Sequence, residues 1–374
     1  MGACTEVSYA AFGKRLYRSA FRERIPIAGS LALTHRCNLD CAHCYLQNDR
    51  SRTELSARQW AELLDQLARA GCLYLILTGG EPMLHEDFEA IYRHAVGLGI
   101  LVIVFTNGTQ IDDARLALFG RWPPHSVEIS VYGLSAATCE AVCARPEAGE
   151  ASLDAARRLQ GSGVAVQLKT MALRRNVHEL DAMHRRAREL GIPFRLDSLV
   201  TPCLDGDRRP LAERLDEEDI LSLDFQDARR RAAWRASLAH DTGPRRRLYT
   251  CGAGRISFHV HPDGMLAMCM CDLPRFDLTR GSFEAGWDGA LRTRRAIPLP
   301  AGHPCAGCRD QAFCGLCPPI ARMESGSELG LVPQLCRLGK RRRDMASRDA
   351  REAGGGWTIE GPQAHDAAPL QRPL

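Results

Sequence analysis

Residues 31–45 read L-A-L-T-H-R-C-N-L-D-C-A-H-C-Y, and the other motifs of the chain are arranged around this stretch. The apolar run at 27–34 predicts a buried strand. It leads into Cys37, Cys41 and Cys44, spaced by three residues and then by two. Thiolates are the soft ligands that iron–sulfur clusters require, and three on one loop can hold three irons of a cubane cluster. The fourth iron then stays open to a small molecule, which favours catalysis. The alternative is a zinc loop or a chance triplet, although zinc sites more often come as paired C-x2-C knuckles.

A glycine-rich motif follows the second predicted strand, where residues 78–82 read T-G-G-E-P. Two glycines let the backbone approach a ligand closely. Placed one strand–helix unit after the cysteine triplet, this motif resembles the pattern of the radical S-adenosylmethionine (radical SAM) enzymes. The resemblance implies a 4Fe-4S cluster on the three cysteines, whose open iron chelates the amino and carboxylate groups of SAM. It also implies that Gly79, Gly80 and Glu81 contact the amino group of SAM. His43 stands where the family usually has an aromatic residue, and Tyr45 is expected to take over part of its packing.

Apolar runs alternate with helical patterns from residue 27 to about residue 200. Strands are predicted at 31–34, 73–78, 101–106, 126–132, 165–170 and 194–199, and helices at 56–70, 87–98, 111–119, 152–161 and 176–190. This alternation predicts an α/β fold with a parallel sheet. The pattern alone also allows an open doubly wound sheet, whereas the resemblance implies a partial (β/α)6 TIM-like barrel. In both folds ligands bind at the C-terminal ends of the strands.

Polar residues at the ends of the later strands complete the predicted SAM site. The resemblance implies that Asn107 borders SAM, that Ser130 lies near its ribose and that Lys169 pairs with its carboxylate. An interior lysine needs a partner, which supports the last assignment. Asn107 and Gly108 also suit a tight turn. Asp197 is expected to be a turn or capping residue.

A second block of cysteines begins at Cys251. Short strands at 256–261 and 265–269 flank Pro-Asp-Gly, which is a hairpin signal. The block resembles the SPASM extension of radical SAM enzymes, which typically carries two auxiliary 4Fe-4S clusters. The resemblance implies that Cys251, Cys269 and Cys317 hold the first cluster, with Cys271 a candidate fourth ligand or the fourth iron open. The ligands that it implies for the second cluster are Cys305, Cys308, Cys314 and Cys336. Zinc is the alternative, because Cys305-x2-Cys308 and Cys314-x2-Cys317 are paired C-x2-C motifs. His259, His261 and His303 are expected at turns or on the surface.

The predicted organisation has five parts: an N-terminal extension at 1–26, the barrel at 27–200, a bridge at 201–250 with a charged helix at 216–238, a cysteine-rich SPASM domain at 251–345 and a disordered tail at 346–374. The basic run at 340–343 is expected to form a solvated helix face.

Composition excludes several classes of protein. The net charge of +4, from 49 basic and 45 acidic residues, argues against nucleic-acid binding through bulk charge. No apolar run approaches the ~20 residues that cross a bilayer, and no signal peptide is apparent. Sixteen cysteines in such a chain predict free or metal-bound thiols in the reducing cytoplasm.

The resemblance implies reductive cleavage of SAM to a 5′-deoxyadenosyl radical that abstracts hydrogen from a peptide or protein. The favoured interpretation is maturation of a ribosomally synthesised peptide through a thioether or carbon–carbon crosslink. A sulfatase-maturase-like enzyme that forms formylglycine is the closest alternative, and a non-catalytic Fe–S electron carrier is the alternative from another class. Because about 26 residues precede the barrel, we expect a separate leader-binding protein. A low-potential donor such as flavodoxin or ferredoxin is the other expected partner. No catalytic base is assigned.

Overall fold

The computed structural model describes residues 8–46, 53–239 and 243–352. Their strands are β1 Ala28–Ala32, β2 Tyr74–Thr78, β3 Leu101–Thr106, β4 Ser126–Ser130, β5 Val166–Met171, β6 Phe194–Asp197, β7 Ser257–Val260, β8 Met265–Ala267 and β9 Phe276–Asp277. They form one sheet in the order β6-β5-β4-β3-β2-β1-β7-β8-β9. Neighbours from β6 to β7 run parallel, and the last two pairs are antiparallel.

The helices of the described residues are α1 Tyr9–Glu23, α2 Ala57–Arg69, α3 Phe88–Gly97, α4 Asp113–Arg121, α5 Ala136–Cys143, α6 Ala148–Gly161, α7 Leu180–Glu189, α8 Glu217–Gln226, α9 Ala228–Ser237, α10 Phe283–Ala285, α11 Arg292–Ala296, α12 Gln311–Cys314, α13 Pro318–Ser325 and α14 Pro333–Glu352. A π-helical turn at Gly286–Leu291 joins α10 to α11. Each helix in this part of the chain is either too short or too polar to cross a lipid bilayer.

The predicted α/β fold with a parallel sheet is confirmed. The alternation of strand and helix holds for β1 to β6, and β3 has the predicted bounds. Helix α5 was not predicted, and α6 begins before the predicted helix at 152–161. The predicted helix at 216–238 is two helices, because Asp227 leaves the helical conformation and its side chain accepts a hydrogen bond from the Arg230 amide at 2.7 Å.

The two faces of the barrel sheet differ in polarity. Leu31, Leu75 and Leu77 are fully buried on the outer face, where they belong to the same core cluster as Trp60 and Leu64 of α2. Because side chains alternate along a strand, the intervening residues face the interior. Several of these are polar, namely Ser30, Glu128, Ser130, Lys169 and His259. A polar interior suits a ligand site better than a packed core does.

The predicted hairpin of the cysteine-rich region is part of the barrel sheet. Strand β7 pairs in parallel with β1, with Ser30 opposite His259. Strand β8 continues the sheet by the antiparallel turn that Pro262-Asp263-Gly264 predicted. The sheet therefore carries the first cysteine loop and the second cysteine block on neighbouring strands.

Helix α14 shows that the expected solvated face at 340–343 was wrong. Arg342 is buried, and its Nε donates to Asp224 Oδ2 at 2.7 Å. Arg343 pairs with Asp310 at 2.8 Å. Apolar periodicity cannot reveal such pairing, because its partners come from distant parts of the chain. The helix continues to Glu352, past the predicted start of the tail at residue 346. The rest of the predicted tail, like residues 1–7 of the N-terminal extension, lies outside the described residues.

Candidate active site at the C-terminal edge of the sheet

The cysteine triplet lies on the loop that follows β1. The Cys44 amide donates to the Cys41 carbonyl at 2.9 Å, and the Leu39 amide reaches Cys37 Sγ at 3.5 Å. Leu39 packs with Cys139 and Cys143, which anchors the loop in an apolar cluster. Burial raises the pKa of all three thiols, to about 11 for Cys44. Because the thiolate is the form that binds iron, binding of the cluster must drive deprotonation here.

The Gly79-Gly80 turn packs directly against this loop. A Cβ atom on Gly79 would lie 2.6 Å from the Thr34 carbonyl oxygen, and one on Gly80 would lie 2.2 Å from that of Arg36. The Gly80 amide donates to Thr34 and the Glu81 amide donates to Arg36, at 2.9 and 2.8 Å. The close approach that the two glycines allow is therefore an approach to the cysteine-bearing backbone. These two amides are already used for that contact.

Glu81 is fully buried and connects the ends of β2 and β3. Both of its carboxylate oxygens accept from the Thr106 hydroxyl at 2.9 Å, and Oε2 also accepts from the Asn107 amide at 2.9 Å. Burial raises the pKa of Glu81 to about 7, against the opposing effect of these hydrogen bonds. Asn107 Nδ2 in turn donates to Asn38 Oδ1 at 2.9 Å, inside the cysteine loop. Glu81 therefore positions two neighbouring loops.

Replacing Glu81 tests this positioning role. We expect Glu81→Ala to destabilise the site by about 1–3 kcal/mol for each buried donor left unpaired, and to lower the iron bound by the cysteine loop. Glu81→Gln keeps one acceptor and should give an intermediate result. The measurements are iron content after anaerobic reconstitution and urea unfolding. Glu86, exposed in the same loop, supplies the control Glu86→Ala. Equal iron and stability in all three variants would contradict the role.

Lys169 lies inside the barrel beside an acidic and an aromatic residue. Its Nζ is 3.7 Å from Glu128 Oε2 and 3.0 Å from the centre of the Phe105 ring. Burial lowers the pKa of Lys169 to about 7, although Glu128 opposes this shift. The predicted neighbour Ser130 is opposite Lys169 in the register of β4 and β5. Asp197 accepts from the Leu199 amide at 3.0 Å, as expected of a turn residue.

A cavity opens between the cysteine loop, the glycine turn and β7. It is lined by Thr34, Tyr45, Thr78, Gly79, Leu204, His259 and His261, among others. The expectation that His259 lies at a turn or on the surface was wrong: it is buried within β7, and its Nδ1 is 2.8 Å from Ser30 Oγ. Burial and the neighbouring His261 both lower the pKa of His259 well below its usual value. The alternation H-V-H at 259–261 is the sequence signal for two histidines on one face of a strand.

Aromatic residues pack around the cysteine loop. The His43 ring meets the Tyr132 ring edge-on, with 4.5 Å between the ring centres. Burial lowers the pKa of His43 to about 4, which leaves the ring neutral at pH 7. The Tyr45 hydroxyl is 3.3 Å from Met270 Sδ, so this residue packs towards the second cysteine block as well.

The later cysteines fall into two spatial groups. Burial raises the pKa of Cys269 and Cys317, and the nearby Cys271 thiol raises both further. The nearby Cys251 thiol also raises the pKa of Cys317. The second group is Cys305, Cys308, Cys314 and Cys336. Charge on neighbouring thiols of the group raises the pKa of Cys305, Cys314 and Cys336. The assignment of these groups to two auxiliary clusters, with Cys271 a candidate ligand of the first, stays a prediction.

The donor chemistry of all three cysteine groups suits iron–sulfur clusters. Each group offers three or four thiols, most of them partly enclosed. Among the described residues, no three His, Cys, Asp or Glu side chains converge as the ligands of a single ion would. A cubane distributes its thiolates over separate irons, so its ligands need not meet at one point.

Sequence comparison with known proteins finds a family match in the first half of the chain. Residues 31–194 match the model described as the Radical SAM superfamily. The PqqA peptide cyclase of Gluconobacter oxydans is 30% identical over 168 residues, which cover 44% of this chain and 47% of that protein. The mycofactocin maturase MftC of Mycobacterium ulcerans is 27% identical over 302 residues, covering 77% of this chain and 82% of that protein.

Solved structures extend the likeness in fold to most of the chain. SuiB of Streptococcus suis bound to S-adenosylmethionine matches with a TM-score of 0.67 at 15% identity, covering 90% of this chain and 84% of SuiB. The same protein bound to its precursor peptide SuiA matches with a TM-score of 0.65. These likenesses confirm the partial-barrel fold followed by a cysteine-rich region. The match to the PqqA peptide cyclase, by contrast, spans only about half of that protein.

Proposed function

We propose that this protein is a radical SAM enzyme that modifies a peptide, most simply by forming a thioether or carbon–carbon crosslink. The observation that carries the proposal is the joining of three loops at one edge of the sheet. Glycine contacts fix the cysteine loop to the turn after β2, and Glu81 and Asn107 fix both to the end of β3. With SAM bound, a reduced cluster at this edge supplies a 5′-deoxyadenosyl radical that removes a hydrogen atom from the substrate.

The residues of the chain divide the remaining tasks. Cys37, Cys41 and Cys44 are proposed to hold the cluster, and the turn at Gly79 to receive the methionine part of SAM. Lys169 is proposed to meet the SAM carboxylate, with its charge supported by Glu128 at 3.7 Å. Ser130 is proposed to lie near the ribose. The cavity lined by Gly79, Tyr45 and His259 is proposed to admit the substrate beside SAM.

The peptide substrate is proposed from the relatives. Two are named as a peptide cyclase and a maturase, and SuiB has been solved with a precursor peptide bound. A low-potential donor such as flavodoxin or ferredoxin is the proposed electron source, and a separate leader-binding protein the proposed peptide carrier. Sixteen cysteines and these clusters favour the reducing cytoplasm as the site of action.

Formation of 5′-deoxyadenosine tests the proposal. The protein is purified without oxygen, reconstituted with iron and sulfide, and given SAM and dithionite. We expect 5′-deoxyadenosine from the wild type and from Cys72→Ala, which removes a buried cysteine outside the three groups. The triple variant Cys37/Cys41/Cys44→Ala should give none. Small peptides encoded beside the enzyme are then screened by mass spectrometry for loss of two hydrogen atoms. A fully loaded, reduced wild type that forms no 5′-deoxyadenosine would contradict catalysis and favour an electron carrier.

A further inference from the structure

We propose that Cys271 is the fourth thiolate of the first auxiliary cluster, beside Cys251, Cys269 and Cys317, and that Arg322 donates hydrogen bonds to this site. The inference rests on the proposed function, which supplies the auxiliary clusters. It decides between the two alternatives left open for this cluster, Cys271 as fourth ligand or an open iron, and adds a positioning residue that neither the motif spacing nor the comparisons assign.

The position of Cys271 carries the first step. Residues 269–271 read C-M-C directly after β8, and the Asp272 amide turns back to the Cys269 carbonyl at 3.0 Å. This turn keeps the two cysteines on one short loop. Cys271 and Cys317 pack against the same apolar cluster, which includes Ile320 and Met323. Cys271 therefore shares a short loop with Cys269 and an apolar cluster with Cys317.

The loop is fixed on both sides of Cys271. Asp272 is fully buried and accepts two hydrogen bonds from Arg275, at 2.6 and 3.2 Å. Arg275 also pairs with Glu328 at 3.2 Å. On the other side, Met270 receives the Tyr45 hydroxyl at 3.3 Å. A ligand held this rigidly can bind a cluster without much loss of conformational freedom.

Arg322 supplies the independent observation. It lies in α13, which begins directly after Cys317. Its Nε and Nη2 atoms are buried and have no hydrogen-bond partner among the described residues. Burial raises the pKa of the Cys271 thiol, and the positive charge of Arg322 opposes this shift. A buried guanidinium without acceptors is costly, so these atoms indicate an acceptor that the polypeptide does not provide. The sulfur atoms of a cluster ligated by Cys271 and Cys317 are acceptors of the required kind.

Four thiolates would leave no open iron for substrate, so the chemistry that a cluster held by these residues would supply is electron transfer. Crosslink formation removes two hydrogen atoms from the peptide. One leaves with the 5′-deoxyadenosyl radical as 5′-deoxyadenosine. The other would leave as a proton, which passes to a base or to water, and an electron, for which an oxidised cluster held by these four cysteines would be the one-electron acceptor. The bond that forms therefore needs no further oxidant.

The ligand is tested in a background without the SAM cluster, Cys37/Cys41/Cys44→Ala. With two cubanes left, this protein should bind about eight irons per chain after reconstitution. Adding Cys271→Ala should lower the iron content and open one iron, so that cyanide shifts the EPR spectrum of the reduced protein. Adding Cys72→Ala instead should change neither property. Equal iron and no response to cyanide in the Cys271→Ala protein would overturn the assignment.

Arg322 is tested by the reduction potential of the same cluster. Arg322→Gln removes a positive charge and should lower the midpoint potential, while Arg322→Lys should restore part of it. Arg309, exposed beside Cys308, gives the control Arg309→Gln, which should leave this potential unchanged. Unaltered potentials in both Arg322 variants would overturn its role. None of these readouts requires SAM cleavage, so they remain informative if the catalytic proposal fails. A background protein with no auxiliary iron would overturn both inferences in this section.

Discussion

Gly80→Ala is expected to lower SAM cleavage by about 100-fold or more while the barrel still folds. The new Cβ would lie 2.2 Å from the Arg36 carbonyl oxygen and 3.0 Å from the Cys37 amide nitrogen. Both contacts are with backbone atoms, so no side-chain rotation relieves them. The chain carrying Cys37 must move, and a displacement of about 1 Å at a reacting centre costs on the order of 100-fold in rate.

Iron content and 5′-deoxyadenosine formation measure this effect together. Wild-type protein with three cubanes should bind about twelve irons, and Gly80→Ala should approach the eight of the two auxiliary clusters. We expect 5′-deoxyadenosine formation to fall by about 100-fold or more. Gly97→Ala is the matched control, because no atom lies within 4 Å of its added Cβ. Normal iron and normal cleavage in Gly80→Ala would show that the close approach is dispensable.

The succession of strands and helices along the barrel could be predicted because each of these elements has a local sequence pattern. Each parallel strand is a short apolar run, and glycine follows several helices in the left-handed conformation that ends them, as at Gly99 and Gly163. The cysteine triplet and the Gly-Gly-Glu motif could be placed at one edge, because both follow strands of the same parallel sheet. The spacing of residues along the chain was sufficient for this part of the site.

The parts that the sequence did not predict depend on contacts between distant residues. Pairing of β7 with β1 joins residues more than two hundred positions apart, and no local pattern specifies it. The burial of His259 follows from this pairing. The hydrogen bonds that Glu81 accepts from Thr106 and Asn107 likewise depend on how two loops meet. Helix α5 was missed because its apolar residues are weakly segregated to one face.

Asp224 also makes long-range contacts. Its replacement is the second change for which we expect a large effect, here on stability. The carboxylate is fully buried and accepts from Arg230 at 2.5 Å and from Arg342 at 2.7 Å. Arg342 lies over the Trp234 ring at 4.5 Å and donates to the Phe313 carbonyl at 3.2 Å. Phe313 precedes Cys314, so one acidic side chain ties α8, α9 and α14 to a proposed cluster ligand.

We expect Asp224→Ala to lower the free energy of unfolding by about 3–5 kcal/mol, because it leaves buried positive charge without a partner. Urea unfolding followed by circular dichroism measures this loss, and iron content shows whether the second auxiliary site is lost with it. Asp219→Ala, exposed on the same helix, should change stability by no more than about 0.5 kcal/mol.

The triple variant Asp224→Leu/Arg230→Met/Arg342→Met separates charge from packing. Since replacing a whole buried ion group by apolar residues is often neutral, it should recover much of the stability that Asp224→Ala loses. If the triple variant is as unstable as Asp224→Ala, the cost does not come from unpaired charge. The geometry of the hydrogen bonds that Asp224 accepts would then be what holds α14 in place.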